Sequence, residues 1–538
     1  MPEQDRPGGQ AGAGQGEPKR AAGPAGRSAA EVEAPVRDGG GGGLGPPRPP
    51  VGAEAVPDSG PVLPGDAPWL DRMLPLLRTP MAERPAPDDG PLDRGKPGPE
   101  SAACVLDLAL RVGELLLASG EAAEDVEAAM LGIARAYRVY PCEPQVTFTL
   151  VSISYQPTSA ESPLMVERTV RRRVSDYARL AAVFRLVSDI TAGGVDVDDA
   201  GRRLAWVRQG RPYPVWLLVL ASGLLAGAAT VLVGGKADGR AWLVFASAFV
   251  AAVAGDRLAA LVAHHDLPEF YQFVVAAMPA ALIGILLSFN DLHLRGSVVI
   301  TGGLFAFLPG RFMVAAAQDG LTGFYLTAAA RLLEVLYLVA GMVIGVMLVL
   351  YVGVSSNADL RNCESPDGVA NPPLQLVAAM LVALAFAVLL QTDRSTVPLV
   401  VLNSAVGWAT YGVLVNALTE PIVAAGSAAG LVGLFGQLMA RYRGVSALPY
   451  VTAAIGPLMP GSVLYFGLLS FTQGRLDAGL ASVGRASATA MALAIGVNLG
   501  GEVARLFKPL SNPEPARGAR RCGPPPPTGP DGQPGWPC

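Results

Sequence analysis

Ionisable side chains set into apolar sequence are where this chain could do chemistry. Arg331 and Glu334 lie three residues apart at the start of a long apolar run, and Asp319 precedes them in the polar stretch Gln318-Asp319-Gly320. A guanidinium at membrane depth can hold a carboxylate through its two-pronged fork, and a carboxyl there can carry a proton. Two readings fit the Arg331–Glu334 spacing. One is an i,i+3 pair that steadies a helix start; the other is an arginine facing a cavity and binding a substrate carboxylate. Asp319 reads as a solvated turn residue capping the next helix or as a pathway residue. Asp256, beside Arg257 at the end of an earlier apolar segment, is a proton carrier or half of an interfacial ion pair. The proton-coupling candidates are therefore Asp256, Asp319 and Glu334. Asn403 and Asn498 are polar groups in apolar segments, with hydrogen bonding between helices as the plainer role.

Two backbone breaks frame these residues. Leu308-Pro309-Gly310 interrupts one apolar segment and Leu458-Met459-Pro460-Gly461 interrupts another, with Pro309 and Pro460 separated by 151 positions. Proline removes a backbone donor and glycine weakens a helix. Such breaks persist at membrane depth only where protein or water satisfies the freed groups, and paired breaks in two halves point to a transporter's binding site. Pro309, Gly310, Pro460 and Gly461 therefore join Asp319, Arg331 and Glu334 as substrate or pathway candidates. At the same offset Thr301 falls on Thr452 and Gly345 on Gly496.

The elements that must position them follow from composition. The 538 residues are 51% hydrophobic and only 16% charged, a membrane-protein balance diluted by polar ends. Ten apolar segments are of spanning type, at about 214–235, 241–263, 270–289, 296–310, 322–352, 372–391, 395–416, 421–440, 446–470 and 476–506. Five precede the polar loop 354–371 and five follow it, so homologous halves would insert with opposite orientation. The expected fold is a polytopic α-helical membrane protein: two inverted five-helix repeats, 214–353 and 372–508, behind a small cytoplasmic α/β domain at 101–209. In that domain the spacing predicts helices ending at Ser119-Gly120 and running over about 122–137, 176–191 and 197–207. One strand is expected over Gln145 to Tyr155 and another near Leu164 to Val170. Residues 1–100 and 509–538 are Pro/Gly-rich and read as disordered tails; within the first, Trp69 to Leu77 is either a chance apolar cluster or a segment that docks on the rest of the chain. Lys and Arg are modestly enriched on the connections that lie inside if the soluble domain is cytoplasmic, which places both termini there.

Composition and motifs also exclude classes. The five cysteines are scattered, and His264-His265 point different ways on a helix, so neither a metal nor a disulfide framework is expected. There is no Walker A, no Gly-x-Ser-x-Gly and no His-Glu-x-x-His, so no catalytic residue and no cofactor is expected. No basic block is interleaved with aromatics, which argues against nucleic acid.

The chain resembles the threonine/serine exporter family over about 101–508. The resemblance rests on Gly113-Glu114-Leu115-Leu116-Leu117-Ala118-Ser119-Gly120 with Val126-Glu127, Leu308-Pro309-Gly310, Gln318-Asp319-Gly320-Leu321-Thr322-Gly323, Ala330-Arg331-Leu332-Leu333-Glu334, and Pro457-Leu458-Met459-Pro460-Gly461-Ser462. It implies a multi-pass bacterial inner (plasma) membrane exporter of threonine and serine, driven by the proton motive force. Its partners would be a small-molecule substrate, protons and the lipid bilayer, and a homo-oligomer is compatible with it. Related two-chain systems export dicarboxylates, so a succinate-type exporter is the alternative. A membrane-anchored receptor or enzyme acting through 101–209 is the alternative of another class. One departure stands out: where the family usually has small residues and an Arg between Ser-Gly and Val-Glu, this chain has Glu121 and Glu124-Asp125.

Overall fold

The structure is a computed structural model. It describes residues 68–85, 99–157, 162–171, 176–207, 213–234, 241–288, 296–307, 310–354, 372–417, 420–472 and 474–507, all within one compact unit, Leu63–Cys538.

The small α/β domain is built from α2 (Pro99–Ala118), α3 (Ala123–Ala136), α4 (Tyr177–Thr191) and α5 (Val197–Val207), packed with an antiparallel sheet in the order β1-β2-β3. Gly120, at φ +90°, supplies the left-handed turn that stops α2. Asp176 caps α4 by accepting from the Arg179 N–H at 2.9 Å. The single strand expected over 145–155 is in fact a hairpin, β1 (Cys142–Val146) and β2 (Leu150–Tyr155). Thr147 and Leu150 exchange backbone hydrogen bonds at 2.8 and 3.2 Å and close it. Alternation through the turn hid the reversal, because Thr and Phe suit a strand as well as this turn. The second expected strand is β3 (Leu164–Thr169), registered on β2 with Ile153 opposite Val166.

The apolar cluster at 69–77 forms α1 (Trp69–Arg78), whose Trp69 and Leu74 are buried. The Trp69 ring packs against Phe184 of α4, with centroids 5.4 Å apart and planes tilted by 48°. A short helix between prolines cannot stand alone; tertiary burial of an indole, with an area of roughly 200 Å², supplies what propensity does not.

Eight helices among the described residues are long and apolar enough to cross a membrane: α6 (Val215–Gly234), α7 (Ala241–His264), α8 (Glu269–Ser288), α11 (Tyr325–Val354), α12 (Pro372–Leu389), α13 (Val397–Ala417), α14 (Pro421–Arg443) and α17 (Leu476–Leu506). Leu282, Leu286, Leu333, Leu336, Leu402 and Leu499 on them are exposed, the mark of lipid-facing surface rather than of a water-soluble bundle. Exposed Tyr325 and Tyr351 flank the ends of α11, as interfacial aromatics do. The other two apolar segments are broken. One is α9 (Gly296–Phe305) followed by α10 (Gly310–Leu321). The other is α15 (Leu448–Thr452), a 3-10 turn over Gly456–Leu458, and α16 (Gly461–Thr472).

Glycines set the closest helix approaches. A Cβ on Gly496 or Gly500 of α17 would lie 2.1 or 2.0 Å from the carbonyl oxygens of Gly426 or Gly430 on α14. Earlier in the chain, a Cβ on Gly345 of α11 would lie 2.1 Å from the Val274 carbonyl oxygen on α8. Small residues spaced four apart allow this backbone-to-backbone packing, which membrane helices use in place of a hydrophobic drive.

The α/β domain is seated on the membrane helices. The Tyr177 and Ala178 N–H groups at the start of α4 donate to the Leu390 and Gln391 carbonyls just past α12, at 2.9 and 3.0 Å. Unpaired donors of one helix end thus satisfy acceptors left open at another.

Candidate functional site

Gln318-Asp319-Gly320 is the last turn of α10, not a solvated loop. The reversal follows at Gly323 (φ +93°), where the Phe324 N–H returns to the Asp319 carbonyl at 2.8 Å and feeds the chain into α11. That reversal lays Arg331, in the second turn of α11, across Asp319. Their side chains form an ion pair at 2.8 Å, with Arg331 4% and Asp319 0% exposed. A pair this dry is stable only if the remaining hydrogen-bonding capacity is met.

The α/β domain supplies two of those bonds. Arg331 Nη2 donates to the Glu121 carbonyl at 3.1 Å, and the Ala123 N–H donates to Asp319 Oδ1 at 3.2 Å. Helix α3 begins after Ala122, which has no side-chain oxygen for capping. Asp319, reaching across from α10, serves as its cap. The Glu121 side chain is itself buried, with Ser446 Oγ donating to its carboxyl oxygens at 3.0 Å and accepting from the Leu448 N–H at 3.0 Å. One cluster therefore joins the α2–α3 turn to α10, α11 and the segment entering α15.

Beside the cluster lies a cavity of about 1220 Å³, larger than the roughly 300–1,000 Å³ of ordinary ligand pockets. Its walls are the α2–α3 turn, α1, α10, α14, the 444–455 segment and α17, and it reaches Phe312 past one break and Ile455 before the other. Both signs of charge line it: Arg331, Arg441 and Arg505 against Asp71, Glu121, Asp125 and Glu502. Asp71 of α1 pairs with Arg441 and lies 3.7 Å from Arg505, while Arg441 also donates to the Ala504 carbonyl at 2.8 Å. Burial, reinforced by the Asp125 charge, pushes the Glu121 carboxyl well above the usual carboxylate range against the opposing Ser446 hydrogen bond and Arg331 charge. Burial, then the Glu124 charge, raises Asp125 to about 7. Such a cavity offers a guanidinium for a carboxylate and carboxyls for an ammonium, alongside one group, Asp125, that can change protonation near neutrality.

Of the residues singled out in the sequence, Asp319 and Arg331 are brought together. Glu334 is one turn further along α11, half-buried and outside the cavity lining. Asp256 pairs with Arg257 at 2.5 Å on α7, partly exposed and also outside it. Gly310 opens α10, and Pro460 and Gly461 are buried at the start of α16; Pro309 lies outside the described residues. Asn403 donates to the Val432 and Tyr450 carbonyls at 3.0 and 3.3 Å, tying three elements together, whereas Asn498 lines the cavity. Among the described residues no group of three or more His, Cys, Asp or Glu side chains is placed to hold a metal. Glu121, Ser446, Asp71, Arg441 and Arg505 were not expected as site residues. Glu121 had one signal, as an acidic residue standing where the resembling family has small ones.

Residues 107–353 match a family model described as a putative threonine/serine exporter, and residues 375–502 match a second described as a threonine/serine exporter. A probable threonine/serine exporter of Mycobacterium tuberculosis is 34% identical over 411 residues, covering 74% of this chain and 75% of the relative. The chain belongs to the threonine/serine exporter family. A threonine/serine exporter of Corynebacterium glutamicum is 31% identical over 423 residues, 76% of this chain and 85% of the relative. No solved structure matches significantly. The exporter-family match divides at the polar loop between α11 and α12, and its first part takes in both Glu121 and the Asp319–Arg331 pair.

Proposed function

We propose that this chain is a secondary active exporter that carries threonine and serine outward across the plasma membrane, coupled to inward proton movement. The observation that carries this reading is the buried Arg331–Asp319 pair set against a cavity lined by both signs of charge. A zwitterionic amino acid fits such a lining. Its carboxylate competes with Asp319 and the Glu121 carbonyl for the Arg331 fork, while its ammonium meets the carboxyls of the α2–α3 turn. Displacing an internal partner rather than filling an empty site keeps the guanidinium paired at each stage, which matters because an unpaired buried charge costs several kcal/mol.

Ten crossings in two inverted halves fit the same reading. The broken segments, α9/α10 and α15/α16, occupy the fourth place in each half. The third and fifth helices of each half approach through Gly345 and Gly496, the pair that shares the 151-residue offset of Pro309 and Pro460. With an even number of crossings and a cytoplasmic α/β domain, both termini are cytoplasmic and the cavity is the inner vestibule.

The test is efflux from cells loaded with a threonine-containing dipeptide, with and without the protein and with the proton gradient collapsed. Threonine efflux that depends on both is expected, and Arg331→Lys, which keeps the charge and loses the fork, lowers it severalfold while insertion survives. Equal efflux with and without the protein sinks the reading. Competition by succinate instead of serine would move the substrate to dicarboxylates.

A further inference from the structure

The α/β domain does more than sit beside the cavity. Its α2–α3 turn places one carboxyl, that of Glu121, inside the membrane-helix cluster, 3.0 Å from Ser446 and on the residue whose carbonyl Arg331 holds. The same turn owes its helix cap to Asp319. Seating this turn and completing the Arg331–Asp319 site are therefore one event. We propose that Glu121 is a proton-carrying gate residue: protonated, it seats the α/β domain over the inner end of the transport pathway, and ionised, it releases the domain and admits substrate. This rests on the exporter reading for the pathway's direction.

Charge explains the sign. Seated Glu121 faces Asp125 of α3, with which it shares a hydrogen bond, and Arg331 of α11, whose charge Asp319 of α10 already neutralises. Asp71 of α1 and Arg505 of α17 act on the neighbouring Asp125, and Arg441 of α14 is engaged by Asp71 and the end of α17. Arg72 of α1 also lines this cavity, and the Arg331 charge opposes the rise, but burial and the Asp125 charge outweigh it and favour the neutral acid. A group whose proton is held more tightly when seated stabilises seating fully at low pH. That contribution is lost as pH rises through its raised value. The direction suits antiport: release of a proton to the neutral interior and opening of the inner gate are the same step, and no other reactant is needed.

The test uses the full chain in detergent with Ala447→Cys, a position on the cavity wall next to Ser446, and measures maleimide labelling at that site, as the excess over the chain that keeps Ala447, from about pH 5.5 to 8.5, corrected for the thiol's own ionisation. Labelling should be slow at the acid end and rise by up to about tenfold per pH unit, as one released proton dictates. Glu121→Gln keeps the seat without the charge, so its labelling stays slow throughout and its threonine efflux falls with a flattened pH profile. Ser446→Ala in the same background leaves the carboxyl titratable and should keep the pH step from a faster starting rate, which covers a Glu121→Gln protein that fails to fold. A pH step in Glu121→Gln equal to the parent's, or a parent with no step, overturns the gate. A parent with the step but no threonine efflux keeps the gate and removes the exporter reading instead.

Discussion

Arg331 uses both ends of its guanidinium, Nη1 on Asp319 and Nη2 on the Glu121 carbonyl, and Asp319 uses both oxygens, on Arg331 and the α3 cap. Removing one partner leaves the other charged, dry and unsatisfied, a loss of about 3–5 kcal/mol, whereas replacing both by apolar groups of similar volume is often near neutral. Asp319→Ala should therefore lower the thermal midpoint and folded yield sharply, and Asp319→Leu with Arg331→Met should recover most of that stability but no efflux. Double-mutant instability equal to the sum of the singles would show that the pair is not the unit. At this scale the sequence was half legible. Arg331 announced itself as a charge within apolar sequence, because apolar neighbours make any ionisable group conspicuous. Its bond to Asp319 did not, since spacing arguments reach only three or four residues along a helix and Asp319 is on the preceding one. Glu121 and Ser446, 325 positions apart, share no local pattern at all.

Helices α14 and α17 meet where a Cβ has no room, at Gly426 and Gly430 against Gly496 and Gly500. Glycine to alanine within an exposed helix is worth about 1 kcal/mol in favour of alanine, so its sign depends on the neighbour. Gly484, on the same helix with nothing within 4 Å, should tolerate alanine. Gly496→Ala should instead lose folded protein, because the Gly426 carbonyl is backbone and cannot swing aside. Comparing monodisperse yields of the two variants checks this, and equal yields would mean that the helices separate at little cost. Most helices of this chain were legible from periodicity and apolar length, and Gly120 and Asp176 marked their ends. The hairpin β1–β2 and helix α1 were not. The first reversal carries residues equally at home in a strand, and the second exists only because Phe184 and the basic ends of α14 and α17 receive it.

The two interrupted segments were visible in the sequence because a Pro-Gly pair changes the backbone itself, wherever the rest of the fold lies. The seating of the α/β domain on the cavity was not, since it depends on surfaces assembled from segments hundreds of residues apart. Direction across the bilayer rests on charge. Lys and Arg at and beyond the span ends favour the side that holds Arg202, Arg203, Arg441, Arg443 and Arg505, and the side with the loop between α11 and α12 carries fewer. The seated domain bears on the same question, since the α2–α3 turn and Ser446 must share a compartment to bond. On intact cells a membrane-impermeant maleimide should label Cys363 in that loop, with the signal lost in Cys363→Ser. A cysteine replacing Ala447 should stay unlabelled until the membrane is opened. Labelling of position 447 from outside would invert the topology, turn the vestibule outward and make the Glu121 gate respond to external rather than internal pH.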